Sequence, residues 1–448
     1  MSKETKKKLT LFALTWPIFI ELLLHMLMGN ADTLMLSQYS DQSVAAVGVS
    51  NQLLSLVIVM FGFISTGTAV LIAQNIGAKK NSTAKEVAVV SIALNLIFGL
   101  ALSLLVFFFY KPILGIMDLP SELYEEAGIY LKIVGGFAFI QAIIMTIGAI
   151  VRSYGFTKDI MYITIGMNII NVIGNYLFIF GPFGIPVLGV EGVAISTTVS
   201  RFIGLIAAII ILFKRVPGKF PFQMLWRIPK AHIQNLLRIG VPSAGENLSY
   251  NASQMVITFF IAMLGTEALT SKVYVQNVTM FLMLFGMAIA QGTQIIVGHM
   301  IGGKELEQAY KRGLDSLRKA IIIAFFMAIA ASIFSKGLLG IFTTNQDIIQ
   351  TGSILIILSI ILEPGRAFNM VLINALRAAG DVKFPVYIGI MSMWGVSVPL
   401  SYILGIYFEM GLIGVWIAFI ADEWLRGILM LRRWKARGWL EKTRFFVA

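Results

Sequence analysis

Stretches of predominantly apolar sequence, too long for the core of a soluble domain, recur along this chain. Leu11–Leu36, Val47–Ile76, Val87–Phe109 and Ile129–Val151 each exceed the roughly 18–20 residues that a helix needs to cross a hydrocarbon core. Only 13% of the 448 residues are charged, against 58% hydrophobic, too little charge to cover a soluble surface of this size. Apolar blocks set off by charged or Pro/Gly-rich breaks predict helices near 10–37, 46–76, 87–110, 128–152, 160–181 and 190–213. A second set is predicted near 236–263, 268–301, 317–343, 350–376, 385–407 and 411–432. The expected fold is an all-α polytopic membrane protein with twelve transmembrane helices in two six-helix lobes.

The basic N-terminus (Lys3, Lys6, Lys7, Lys8) before an apolar run is superficially like a signal peptide. The run is too long, contains Pro17 and Asp32 and lacks a small-x-small cleavage site, so it reads as a retained first helix. With no cysteine in the chain, disulfides, thiol chemistry and Cys-based metal sites are excluded.

The formal charge of +12 is a topology signal rather than a nucleic-acid footprint. The N-terminus, the loops after helices 2, 4, 6, 8 and 10 and the C-terminal end together hold 29 Lys and Arg, while the other loops hold 4. This bias predicts both termini in the cytoplasm, with membrane lipid and not nucleic acid as the surrounding. Arg201 and Arg366 fall inside spans.

A shift of 225 residues superposes the chain on itself. Pro17 then meets Pro242, Glu21 meets Glu246, Gly67-Thr68 meets Gly292-Thr293, and Gly77 meets Gly302. Under the same shift Arg152 meets Arg377, Gly155 meets Gly380 and Lys158 meets Lys383. The expected organisation is an N-terminal lobe over 1–213, a cytoplasmic linker over 214–235 and a C-terminal lobe over 236–448. Six helices per half is an even number, so both halves enter the membrane in the same sense. They are expected to be related by a pseudo-twofold axis along the membrane normal, with the substrate path between them and a monomer sufficient for function.

Ionisable groups in hydrocarbon are costly and need a partner, water or a task. On the first helix Glu21, His25, Met28 and Asp32 share one stripe at 100° per residue. Asp32 has no counterpart in the second half, where the shift lands on Ile257, whereas Glu21 has Glu246. Asp32 therefore ranks first as a proton or cation site, the other reading being a helix-end carboxylate in outside water. Thr164, Asn168, Asn171 and Asn175 form a second polar stripe on the fifth helix. These amides can hydrogen-bond a protonated Asp32 or coordinate a cation; equally, they can join helices to one another.

Glu246 and Tyr250 share a polar face of the seventh helix, and Glu363-Pro364-Gly365-Arg366 puts an i,i+3 ion pair at a helix break. That pair is either static or part of a substrate cavity. Glu21, His25, Met28, Glu246, Tyr250, Glu363 and Arg366 are the cavity candidates, although His25 also reads as an ordinary hydrogen-bonded interior histidine. Pro17, Pro242 and Pro364 are candidate hinges. Neither a phosphate-binding loop, a His/Glu metal cluster nor a catalytic triad is found, so no enzyme activity or cofactor is expected and transport would draw on an ion gradient.

Several motifs in order give the chain a family resemblance over nearly its whole length. They are Asn30-Ala31-Asp32-Thr33 followed by Leu-Met, Ala73–Gly77 (Ala-Gln-Asn-Ile-Gly), Asn171…Asn175-Tyr-Leu-Phe-Ile-Phe-Gly181, and Leu376-Arg377-Ala-Ala-Gly-Asp381. The chain thus resembles the bacterial multidrug and toxic compound extrusion (MATE) family. The resemblance implies a V-shaped antiporter that exports small amphipathic, mostly cationic drugs in exchange for H⁺ or Na⁺ by alternating access. Asp32 and Asn171 match that family's N-lobe cation site; Asn175 stands where many bacterial members have aspartate. The C-lobe sodium site of some members is not matched, because Arg366 stands about where they have an aspartate and Glu246 lies roughly a turn from their glutamate. A lipid-linked saccharide flippase of related architecture is the alternative. Such proteins usually need a more basic cavity for pyrophosphate, and Arg201 and Arg366 as the only expected intramembrane arginines argue mildly against it.

Overall fold

The structure is a computed structural model describing residues 9–117, 119–225 and 229–447; Lys3, Lys6, Lys7, Lys8 and Arg227 lie outside it. Twelve long helical segments follow one another, and no strand occurs among the described residues. The first half holds α1 (Leu11–Ser37), α2 (Asp41–Gly77), α3 (Asn81–Ile116), α4 (Ser121–Gly135 and Ala138–Ser153), α5 (Thr157–Phe180) and α6 (Gly189–Arg215). The second half holds α7 (Lys230–Met263), α8 (Thr266–Gly302), α9 (Leu306–Ile333), α10 (Gln346–Ala378), α11 (Lys383–Tyr407) and α12 (Gly411–Lys435). Nine of these are individually long and apolar enough to span, and α4 qualifies as a pair of segments bent by 42°. The remaining two, α7 and α12, carry more polar and charged residues; Glu246, Asp422, Glu423 and Arg426 among them are engaged in the ion pairs described below.

Where helices run beyond the expected spans, polar residues extend an apolar core. α9 starts at Leu306 rather than near 317 because its first turns are charged, with Asp315 bridging Arg312 at 3.2 Å and Lys319 at 2.8 Å. α3 continues past Lys111 to Ile116 and kinks at Phe109 (φ −110°, ψ 15°), three residues before Pro112. The missing proline N–H and the ring's clash with the preceding turn account for that kink. Arg426, grouped in the sequence with the C-terminal charges, is instead buried inside α12. Arg426 thus joins Arg201 and Arg366 as an arginine inside a span, and is the most deeply buried of the three.

The 225-residue repeat is written into the backbone. Lys79 and Lys304, just past the ends of α2 and α8, have φ of 59° and 61°; Gly155 and Gly380 have φ of 89° and 85°. Gly67 lies against Leu236, while its repeat mate Gly292 lies against Leu11, the repeat mate of Leu236. By contacts the chain divides into two compact units. One comprises Ile20–Ile72 and Lys80–Gly240, the other Met1–Phe19, Ala73–Lys79 and Val241–Ala448. The first turns of α1 thus pack with second-half helices, and the first turns of α7 with first-half helices.

Within the second of these units, the ends of α2 and α8 meet at backbone contact. A Cβ on Gly77 would collide with the His299 carbonyl oxygen, and one on Gly302 with that of Gln74. Small residues at helix crossings permit this approach. Gly302→Val is therefore expected to remove most folded protein from the membrane, a loss of at least the ~1–3 kcal/mol typical of overpacking. Monodisperse yield by size-exclusion chromatography checks it, and a wild-type profile would refute the contact.

Candidate ion and substrate site

Asp32 sits near the end of α1, 4% exposed, and faces α5. Asn175 Nδ2 donates to Asp32 Oδ1 at 2.5 Å and more weakly to Asn171 Oδ1 at 3.4 Å. Asn171 Nδ2 in turn donates to Thr197 Oγ1 of α6 at 3.1 Å, and Ser196 Oγ donates to the Asn171 carbonyl at 3.0 Å. Tyr130 of α4 is also buried here, close to the side chains of Asn51 and Thr197. Arg201 of α6 acts on Asp32 and Tyr130 through its charge, without an ion-pair contact to any carboxylate among the described residues. The result is a chain of neutral donors and acceptors ending on one carboxylate. One acceptor, Asn175 Oδ1, is buried and has no hydrogen-bond donor, which leaves an oxygen ready for a cation or a proton-bearing group.

Asn168 is not drawn into this cluster; its Nδ2 bonds the Thr164 carbonyl of its own helix at 2.8 Å. Nor is Glu21, which accepts from Arg152 Nη1 of α4 at 2.6 Å. His25 lies within electrostatic reach of Glu21, Arg152 and Arg201, and Met28 is buried. Losing the Asn175 amide removes a hydrogen bond to a charged group, worth about 1.5–3 kcal/mol. Asn175→Ala should accordingly weaken ion-coupled transport about tenfold or more while the protein still folds. Paired measurements of transport rate and melting temperature separate the two effects, and unaltered transport would remove Asn175 from the site.

The second-half unit repeats one of these features and replaces the other. Glu246 accepts from Arg377 Nη2 at 2.6 Å; both residues are the 225-shifted mates of Glu21 and Arg152. In place of the Asp32 cluster lies a denser array of charge. Glu363 accepts from Arg366 at 2.7 Å, and Arg426 bridges Asp422 at 2.7 Å and Glu423 at 2.9 Å. Ser392 Oγ donates to Asp422 Oδ1 at 2.5 Å, and Asn369 Nδ2 to Glu423 Oε2 at 3.0 Å. Tyr250 stands within electrostatic reach of Arg366, Asp422, Glu423 and Arg426. Asp422, Glu423, Arg426 and Asn369 were not singled out from the sequence as cavity residues. One signal was available for Arg426, which is the repeat mate of Arg201.

A contrast runs through both units. Six carboxylates are buried among the described residues: Glu21, Asp32, Glu246, Glu363, Asp381 and Asp422. Five of them pair with an arginine at 2.6–2.7 Å. Asp32 has only amide partners.

A sequence profile of the MatE family matches residues 17–177 and again residues 242–403, two copies whose starts are 225 residues apart. The chain belongs to the MatE family. It is thus a membrane transporter rather than an enzyme. The MatE chain is similar over 442 residues, at 57% identity, to the "uncharacterized transporter YisQ" of Bacillus subtilis (strain 168), covering 99% of this chain and 97% of that protein. It is 30% identical to the "probable multidrug resistance protein NorM" of Thermotoga maritima, covering 98% and 96%.

Among solved structures, the bent form of the Vibrio cholerae MATE transporter VcmN superposes with a TM-score of 0.88 at 20% identity, covering 98% of each chain. An outward-facing MATE family multidrug resistance transporter gives 0.86 at 22% identity, covering 95% of each. These likenesses show the fold, twelve transmembrane helices in two lobes. The two MatE copies include Asp32, Asn171, Asn175, Glu246, Glu363 and Arg366, whereas Asp422, Glu423 and Arg426 fall beyond the second.

Proposed function

We propose that this MATE transporter is a secondary active exporter of small amphipathic, mostly cationic drugs, driven by inward movement of H⁺ or Na⁺ through Asp32. The carrying observation is the isolation of Asp32 from arginine contact. A buried carboxylate clamped by a guanidinium gives up its charge partner only at a cost of several kcal/mol. Asp32 instead exchanges a proton or a bare cation against neutral amides, which is what a reversible coupling site requires. The donor set suits either ion: carboxylate, the Asn171 and Asn175 amide oxygens and the Thr197 hydroxyl are all hard oxygen ligands.

In the cycle that follows, Asp32 loads from outside, and its contact with Asn175 changes with its charge. Drug affinity falls as the ion binds, and the transporter returns to collect drug from the cytoplasm. Coupling by a few kcal/mol between the two ligands suffices. The names of the NorM relatives support drug as the cargo. The lysine and arginine bias supports a bacterial cell membrane location with both termini cytoplasmic. Arg366 and Arg426 are each matched by carboxylates, which favours a cationic cargo over the pyrophosphate of a lipid-linked saccharide. The test is efflux of ethidium from loaded cells, with and without a protonophore and with and without external Na⁺. Loss of efflux in one arm names the ion, whereas no efflux of any tested cation, with lipid-linked precursor accumulating on deletion, would favour the flippase.

A further inference from the structure

A groove of about 310 Å³ runs between α5 and α6, lined by Tyr162, Gly166, Ile170, Ile203, Gly204 and neighbouring aliphatic side chains. Its one charged lining residue, Asp159, closes one end. Gly166 hollows the floor, with nothing within 4 Å of where its Cβ would stand. Around the groove Tyr162, Ile203, Ile206 and Ile210 are exposed, an apolar rim on helices long enough to span a membrane, so the groove opens on hydrocarbon. From Asp159 to Ile170 the helix rises about 16 Å, the depth of one leaflet of a ~30 Å core.

The closed end is basic. Arg215 holds Asp159 through Nε at 2.6 Å and Nη2 at 3.0 Å, its guanidinium lying over Phe156 at 4.8 Å. Beside this pair Lys158 and Lys214 are exposed, and neither has an ion pair among the described residues. Three cations against one carboxylate leave a surplus of two positive charges at the mouth of a leaflet-deep apolar slot. We propose that this groove is a binding site for one anionic phospholipid, its acyl chain between α5 and α6 and its phosphate at Lys158, Lys214 and Arg215. Charge complementarity favours an anionic over a zwitterionic headgroup, since each lysine near a lipid surface contributes about fivefold in affinity. The site is separate from Asp32 and does not depend on which ion or drug is moved.

The experiment is native mass spectrometry of the purified full chain, equilibrated with equal phosphatidylglycerol and phosphatidylethanolamine. Wild type is expected to retain one phosphatidylglycerol preferentially. The backbone at Gly166 leaves room for a Cβ, so Gly166→Leu should occupy the slot in place of the acyl chain and lose that lipid, with melting temperature and efflux unchanged. Lys158→Gln with Lys214→Gln should keep a lipid but lose the preference for phosphatidylglycerol. Equal retention of both lipids by wild type, or an unchanged retained lipid in Gly166→Leu, would overturn the proposal.

Discussion

Cells expressing the Asp32→Asn protein are expected to lose the ability to expel ethidium against its concentration gradient, even though the variant reaches the membrane in normal amount. The substitution is isosteric, and Asn175 Nδ2, now 2.5 Å from the Asp32 oxygen, can donate to an amide oxygen as well as to a carboxylate. Folding should therefore survive, with a melting temperature within a few degrees of wild type. What is lost is the charge that an inward-moving ion must meet. Coupling free energies between transported ligands typically lie near 1–3 kcal/mol, so the steady drug gradient should fall by about 5- to 150-fold. Downhill movement of drug should persist. Concentrative efflux at the wild-type level would dismiss Asp32 as the coupling group.

A comparably large effect on stability is expected from either repeat-related ion pair. Arg152→Ala leaves Glu21 without its 2.6 Å partner, and Arg377→Ala does the same to Glu246. All four side chains are mostly shielded, so an uncompensated charge stays behind in each case, and removing one partner of a buried pair typically costs about 3–5 kcal/mol. The two variants should lose similar stability, because the pairs occupy equivalent places in the repeat. The exchange Glu21→Arg with Arg152→Glu should recover part of it. Thermal unfolding in detergent followed by tryptophan fluorescence reads both effects. An alanine variant as stable as wild type, or a strong loss on one side only, would show that the pairs do not serve as matched structural ties.

The sequence was informative to different depths for these features. Apolar run length revealed the spans, because hydrocarbon thickness sets a length that few other structures need. It did not reveal where helices end: the charged turns that open α9 obey helical geometry as well as the apolar turns do. The 225-residue shift already put Glu21 with Glu246 and Arg152 with Arg377. Pairing glutamate to arginine required knowing that α1 lies against α4 and α7 against α10, and the repeat does not encode that adjacency. The amide stripe on α5 correctly drew attention to Asn171 and Asn175, yet the same spacing included Asn168, which turns onto its own backbone. Asp422 and Glu423 fall inside the expected span 411–432, but the sequence alone gives them no partner; Arg426, within a turn of both, is grouped there with the C-terminal charges. The fold pairs them, Arg426 bridging both carboxylates.

The most direct test of the coupling role is transport by purified protein in sealed vesicles, with an imposed proton gradient in one set and an imposed Na⁺ gradient in another. Ethidium is expected to move against its own gradient under one of the two conditions, an effect abolished by Asp32→Asn and weakened by Asn175→Ala. Movement that ignores both gradients, or that follows one of them equally well in Asp32→Asn, would contradict the coupling role.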